Sequence, residues 1–347
     1  MTRRDLMLIP AVAPLARAAV PKVRVAVYGT GHAHAAAKVA TLRALPEFDF
    51  AGVCEPDEPR PRHAAYDGTR WLSKREVLDD PGIEMVAVES RVDLNLAYAR
   101  ACVDAGKHVH IDKPPGEDLA GFRKLLADAS RKKLGVQLGY MWRYQPAMQA
   151  VIEAARQGWL GHVYALRATI DKPIPPKERI ALAAFRGGMM FELGCHMIDR
   201  AVDLFGKPGK VSGFMRHDGP FDDTLADNTL AVLEFERATA DIYVAAHHPN
   251  GGQRRTFEVL GTNGSLAARP FSPAVLHTDL KEAAGPYKAG RHTVEFPRSP
   301  LPAHGEDFLQ MARFIRQGTP LLYSPEHDLA VQETLLRACG YSEETHR

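Results

Sequence analysis

Cysteine is scarce in this chain, and none of it is paired. Cys54, Cys102, Cys195 and Cys339 are the only cysteines among 347 residues, and no two fall at C-x-x-C spacing. That argues against a zinc knuckle, a redox dithiol or a disulfide scaffold and leaves free thiols. An excess of either charge is missing too. The formal net charge is +2, and no basic block is interleaved with aromatics, so neither nucleic acid nor an anionic membrane surface is indicated as a partner. No apolar run approaches the ~20 residues that span a bilayer, so no membrane insertion is expected. There is no internal repeat and no low-complexity stretch. What the chain does have is length: 347 residues, 45% of them hydrophobic, suffice for two cores, because single cores stop growing near ~250 residues.

Residues 1–20 are set aside from the fold. Arg3 and Arg4 precede a short apolar run that ends on Ala16-Arg17-Ala18, the pattern of a twin-arginine export signal with a small-x-small cleavage site. On that reading the protein is exported or periplasmic; a cytoplasmic tail is the alternative.

From Val23, apolar runs alternate with helical segments, as a parallel sheet with helical crossovers requires. VRVAVYG, FDFAGVCEP, GIEMVAVES, HVHIDKP and LGVQLGY read as buried strands, with HAAAKVATLRAL, LAYARACVDAG and DLAGFRKLLADASRKK as helices between them. The fold class is therefore α/β, with a doubly wound Rossmann domain at 21–143. Beyond it, 144–347 reads as an α+β domain with an open, mainly antiparallel sheet. Asn263-Gly264 is expected to supply both residues of a tight hairpin turn, since both positions there must accept positive φ. Two amphipathic helices, EDFLQMARFIRQG and EHDLAVQETLLRACGYSEE, close the chain.

In GTGHAH, Gly29 makes the strand-to-helix turn, and Gly31, flanked by Thr30 and His32, lets the backbone approach a pyrophosphate held at the helix N-terminus. His34 stands in place of the third glycine, which implies looser packing of helix on strand. Glu55 ends the next strand, close to the ~20 residues downstream at which an acid binds the ribose hydroxyls. Its charge would repel a 2′-phosphate, which favours NAD, while Arg60 and Arg62 keep NADP open. A glycine turn that binds nothing is the bland alternative.

With GKHVHIDKP, YMWRYQPAM and GGMMFELGCHMIDR added, the chain resembles the glucose-fructose oxidoreductase / inositol dehydrogenase / MocA (Gfo/Idh/MocA) family. The family's E-K-P motif reads Asp112-Lys113-Pro114 here, and its G-G-x-x-x-D-x-G-x-H-x-x-D motif is matched by Gly187, Gly188, Glu192, Gly194, His196 and Asp199. The pattern from Arg143 to Pro146 and the segment from Gly158 to Gly161 agree more weakly. The resemblance implies that Lys113, Glu192 and His196 are catalytic and line a cleft between the domains. It adds Ser90, Asp112 and Lys113 to the cofactor contacts, makes Arg143, Tyr144 and Asp199 substrate contacts, and implies a homodimer or homotetramer built on the open sheet. A histidine with an intrinsic pKa near ~6.5 suits the acid/base role; Lys113 would stabilise an alkoxide, and Glu192 would orient His196 or bind Lys113.

Plain alternatives stand beside these roles. Lys113 could be a solvated strand end, and Glu192 with His196 a surface pair or half of a metal site, although no third ligand is evident and no metal is expected. His108 and His110 read as strand histidines bonded to their surroundings, and His247 and His248 point to opposite strand faces. Departures are also visible: Glu89-Ser90-Arg91 and then Asn95 replace the family's T-P and following histidine beside the nicotinamide. Glu192 replaces aspartate, and Asp112 replaces glutamate. The function expected is an NAD(P)-dependent oxidoreductase moving hydride between the cofactor and a sugar, polyol or related hydroxy compound, with a tightly held cofactor if the chain is exported. The alternatives are an NAD-dependent glycosidase working by transient oxidation and a catalytically weak sugar- and cofactor-binding protein.

Overall fold

The computed structural model describes residues 20–341, so the export-like tail lies outside the described residues. Five strands, β1 (Val23–Tyr28), β2 (Phe48–Cys54), β3 (Met85–Val88), β4 (His108–Ile111) and β5 (Val136–Leu138), form a parallel sheet in the order β2-β1-β3-β4-β5. Its helices are α1 (Ala35–Ala44), α2 (Lys74–Asp79), α3 (Val92–Asp104) and α4 (Leu119–Arg131). The strands are apolar on both sides because both faces are covered. Val23, Val25 and Val27 face Val39, Leu42 and Met85, while Ala26 and Tyr28 face the other way, toward Val86, Val109 and Ile111. The chain winds outward from β1 through β2, then reverses to β3 on the other side. Between the ends of β1 and β3 lies the switch point where such sheets take their ligands.

The second domain runs α5 (Pro146–Arg156), β6 (Val163–Asp171), α6 (Pro176–Ala183), α7 (Cys195–Phe205), β7 (Lys210–Arg216), β8 (Asn228–Glu234), β9 (Thr239–Ala245), α8 (Gly251–Arg254), β10 (Thr256–Gly261), β11 (Gly264–Ala268), β12 (Val275–Leu280) and β13 (Gly290–Glu295). Its eight strands order β13-β12-β11-β10-β6-β9-β8-β7, all antiparallel apart from the parallel pair β6–β9. The α/β architecture with a mostly antiparallel second sheet is as expected. Phe214, Leu230, Tyr243 and Thr169 form one cross-strand row on its outer face. Among the described residues no helix is long and apolar enough to cross a membrane, and all four cysteines are free and buried.

Two sequence expectations change here. The hairpin near Asn263 exists, but β10 and β11 pair Gly261 with Gly264, so its loop residues are Thr262 and Asn263, and neither has positive φ. Asn263 shapes the loop from its side chain, donating to the Trp159 and Glu282 carbonyls and accepting from the Glu282 N–H. Gly264 instead opens β11 at φ 137°, where a Cβ would lie 2.0 Å from the Asp279 carbonyl oxygen.

The second concerns the end of the chain. α9 (Gly305–Gln317) returns to the N-terminal sheet, with Phe308 against Phe48 and His110, and with Met311 and Ala312 in the core that holds β1. α10 (Pro325–Ala338) then packs on α7 and β7. Phe308 is fully buried, so Phe308→Ala should destabilise the Rossmann domain by about 3–5 kcal/mol, the usual range for an emptied core aromatic. Chemical denaturation checks this, and a loss below 1 kcal/mol would show that α9 is dispensable to that core.

Candidate active site

The turn after β1 is built for close approach. Gly29 has φ 88°, and a Cβ on it would lie 2.6 Å from the Ser90 Cα; one on Gly31 would lie 2.7 Å from the Arg91 Cγ. The ten-residue α1 that follows has no side-chain cap and no acid in its first turn, so its N-terminus is free to meet an anion. Glu55 joins the two neighbouring loops: one carboxylate oxygen accepts from the Thr30 N–H (2.5 Å) and hydroxyl (2.7 Å), the other from the Asp57 and Glu58 N–H groups. Arg91 reaches across to Glu58 at 2.7 Å. Arg60 and Arg62, with His63, Tyr66 and Trp71, line an open cavity of about 540 Å³ beyond this loop. These features fit a dinucleotide: a tight glycine turn, an uncapped helix end and an acid at the second strand.

Beneath the turn lies a buried ionic cluster. Lys38 of α1 projects under the strand ends and donates to Glu89 (2.8 Å) and Asp112 (2.7 Å), all three fully buried. The same Asp112 oxygen lies 2.9 Å from His32 Nδ1 and 3.0 Å from His34 Nδ1. His34, in place of the third glycine, thus fills its space with a bonded imidazole rather than leaving it loose. Burial pushes the Glu89 carboxyl well above the ordinary range, with Lys38 opposing and Asp112 reinforcing the shift. Burial also acts to raise Asp112, but His32, Lys38 and His34 overrule it and hold the group well below the usual carboxylate range. Burial lowers His34 to about 4. His32, His34 and Asp112 have the spacing of a metal site, yet the Lys38 ammonium already supplies the positive charge at that oxygen.

Asp112 also accepts from the Lys113 N–H at 2.7 Å, and Asn95 donates to the Asp112 and Pro114 carbonyls while accepting from Ser90. Asn95 therefore ties the loop after β3 to the loop after β4. From that second loop the buried Lys113 reaches the second domain and donates to both the backbone oxygen and the carboxylate of Glu192, each at 2.8 Å. Burial alone would lower Lys113, but Glu192 raises it, so the ammonium is permanently charged.

Glu192 sits in a π-helical turn, Met190–Gly194, that runs directly into α7. The wider turn breaks the simple i, i+4 stacking of Glu192 on His196: Glu192 binds Lys113, and His196 Nδ1 has no partner. The His196 ring instead packs on Trp142 at 4.4 Å and edge-on to Tyr140 at 5.6 Å. Burial first, then Lys113 and His34, lower its pKa well below the ordinary value, so the imidazole is neutral.

Residues 23–140 match the oxidoreductase family with an NAD-binding Rossmann fold, and residues 148–267 match the GFO/IDH/MocA C-terminal domain. The chain belongs to the Gfo/Idh/MocA oxidoreductases. Trans-1,2-dihydrobenzene-1,2-diol dehydrogenase of Homo sapiens is similar, 30% identical over 271 residues that cover 76% of this chain and 77% of that enzyme. Two solved structures share the fold. GenD2 from gentamicin A biosynthesis, in complex with NAD, has a TM-score of 0.75 at 24% identity, covering 94% of this chain and 95% of that one. An oxidoreductase from Desulfitobacterium hafniense described as NADPH-dependent has a TM-score of 0.77 at 18% identity, covering 94% and 96%.

Within this Gfo/Idh/MocA frame, Lys113, Glu192 and His196 converge, and Gly29, Thr30, Gly31, His32, Glu55, Ser90 and Asp112 surround the switch point. The three residues expected at the substrate separate. Tyr144 lines a cavity with Met141, Trp142, Gln145, Arg255 and Phe271. Arg143 and Asp199 turn instead into a buried ionic network: Arg143 binds Asp199 at 2.7 Å and Asp328, and Asp199 also binds Arg200 and His327. His110 bonds to Gln137, and His108 accepts from the Gly135 N–H, as structural strand histidines do.

Sequence reasoning missed Lys38, Trp142 and Arg255. Lys38 had a signal, since it falls on the buried stripe of α1 with Ala35, Val39 and Leu42. A charge on such a stripe demands buried partners. Lys38→Met would leave Glu89 and Asp112 buried without their cation and should cost about 3–5 kcal/mol. Without Lys38, burial raises both carboxyls in the folded state, so the deficit against wild type should shrink as the pH falls from 8 to 5 and protons neutralise them. Urea titrations at the two pH values measure it; a deficit independent of pH would refute the ionic reading.

Proposed function

We propose that this oxidoreductase is an NAD-dependent dehydrogenase that oxidises a ring-borne secondary alcohol of a sugar, polyol or cyclic diol. The observation that carries the reading is the buried, unpartnered Nδ1 of a neutral His196 whose pKa the nearby Lys113 ammonium, itself fixed by Glu192, helps to depress. A neutral imidazole with a free nitrogen can take the hydroxyl proton. Lys113, held by Glu192, is placed to stabilise the oxygen as it becomes an alkoxide and then a carbonyl. The nicotinamide, when bound, accepts the hydride that leaves the carbinol carbon. Met141, Trp142 and Phe271 offer the substrate an apolar wall. The name of the human relative, a dehydrogenase of a cyclic vicinal diol, supports a ring as the acceptor-facing part.

Glu55 at the end of β2 supports NAD, because its charge opposes a 2′-phosphate. The Arg91–Glu58 bridge between the loops after β3 and β2 supports slow release of the nucleotide. Export in a folded, cofactor-loaded state and association through the Phe214–Tyr243 face are consistent parts of the same proposal.

His196→Ala and Lys113→Ala should each lower kcat by ~10²-fold or more, the usual effect of losing acid–base catalysis. Because the His196 pKa is depressed, its base form persists as the pH falls, so kcat/KM for alcohol oxidation should stay level from pH 8 to 6.5 and drop only below. Unchanged rates in both variants, or an acid limb above pH 6.5 that His196→Ala removes, would refute the assignment. Denaturing the purified protein should release NAD, identified by chromatography; release of NADP would overturn the cofactor choice, and no nucleotide at all would overturn retention.

A further inference from the structure

Arg255 lies between α8 and β10, on the wall of the cavity that Tyr144 lines. The cavity holds about 350 Å³, within the range of small-molecule sites. Trp142 forms one wall, with Phe271 edge-on to it at 5.1 Å. The Arg255 guanidinium carbon lies 5.3 Å from the Trp142 ring centre, and His196 lies 4.4 Å from the same ring. Both groups thus lie within about 6 Å of the centre of the same indole.

Arg255 combines partial burial with the lack of any anion on it. Among the described residues it has no salt bridge, and its Nε is buried without a hydrogen-bond partner. The neighbouring Arg254 takes Asp171 at 3.2 Å, and the field of Asp171 only partly offsets the burial that lowers the Arg255 pKa. The fully buried arginines behave differently: Arg143, Arg179 and Arg200 are each bonded to two carboxylates. A half-buried guanidinium left without a counter-ion is unfavourable for folding. It is also the group that best matches an oxyanion in a bidentate pair.

We infer that Arg255 is the substrate-selecting residue of this site and that the substrate carries an oxyanion, a carboxylate or a phosphate, on the same molecule as the alcohol to be oxidised. The oxyanion pairs with Arg255 while the carbon skeleton lies along Trp142 and Phe271, and the hydroxyl is directed toward His196 and Lys113. This rests on the dehydrogenase reading above, but its binding step is independent of turnover.

The test uses matched pairs that differ in the charged group: glucose with glucuronate and with glucose 6-phosphate, glycerol with glycerate, and benzyl alcohol with mandelate. Binding to the full chain is followed by quenching of tryptophan fluorescence and by calorimetry. At least one charged member should bind ten or more times tighter than its neutral partner. Arg255→Gln should erase that margin while leaving the neutral partner within twofold, and Arg255→Lys should restore part of it. A margin for glucuronate, glycerate or mandelate identifies a carboxylate, and one confined to glucose 6-phosphate a phosphate. The melting temperature of Arg255→Gln should equal or exceed wild type, since an unpaired cation is removed, whereas a structural arginine would show a fall. The inference is overturned if no charged member outbinds its partner or if the margin survives Arg255→Gln. A margin that depends on Arg255 without any NAD reduction would sink the dehydrogenase reading alone; NAD reduction with neutral compounds preferred would sink only this inference.

Discussion

The site depends on one ammonium group. Lys38 reaches from α1 beneath the sheet's carboxyl end and holds Glu89 after β3 and Asp112 after β4 in a single buried cluster. Without a cation there, two carboxyl groups in a dry interior could not both be ionised at one point. With it, the ends of adjacent strands are fixed relative to the glycine turn, and the loop bearing Lys113 inherits that position through Asp112 and Asn95. The chemistry in the cleft is thus referenced to a charge that never meets solvent.

Division of labour follows from burial and from partners. Lys113 is buried but matched by Glu192, so it remains a cation; His196 is buried and unmatched, so it remains neutral. Glu192 lies in the π-helical turn that leads into α7, and its carboxylate is bonded to Lys113. A regular helix would have placed the carboxylate beside the imidazole and favoured its charged form. Burial keeps His196 neutral, and the Glu192 carboxylate keeps Lys113 charged.

Much of this was legible in the sequence, for identifiable reasons. Parallel strands buried on both faces read as continuous apolar runs, so the Rossmann half was visible from VRVAVYG onward. Gly29 and Gly31 announce themselves because no other residue fits there, and Lys113 and His196 were found through motif spacing. The return of α9 to the first domain was not legible: its apolar stripe is amphipathic on any partner, and nothing in EDFLQMARFIRQG names which core it joins. Arg143 and Asp199 were expected at the substrate through the family resemblance, while their partners Asp328 and His327 come from far along the chain, where only tertiary packing brings them close. The hairpin at Asn263 was found but shifted by one residue, since the asparagine side chain, not a positive φ, closes the loop.

The path of α9 has a mechanical outcome. The polypeptide crosses between domains before α5, again on the way from β13 to α9, and once more between α9 and α10. Two bodies joined by a single tether can swivel freely; joined by three, they can only flex about the line through the attachment points. The three crossings therefore constrain how the Lys113 and Glu192 sides of the site can move relative to each other more than a single linker would.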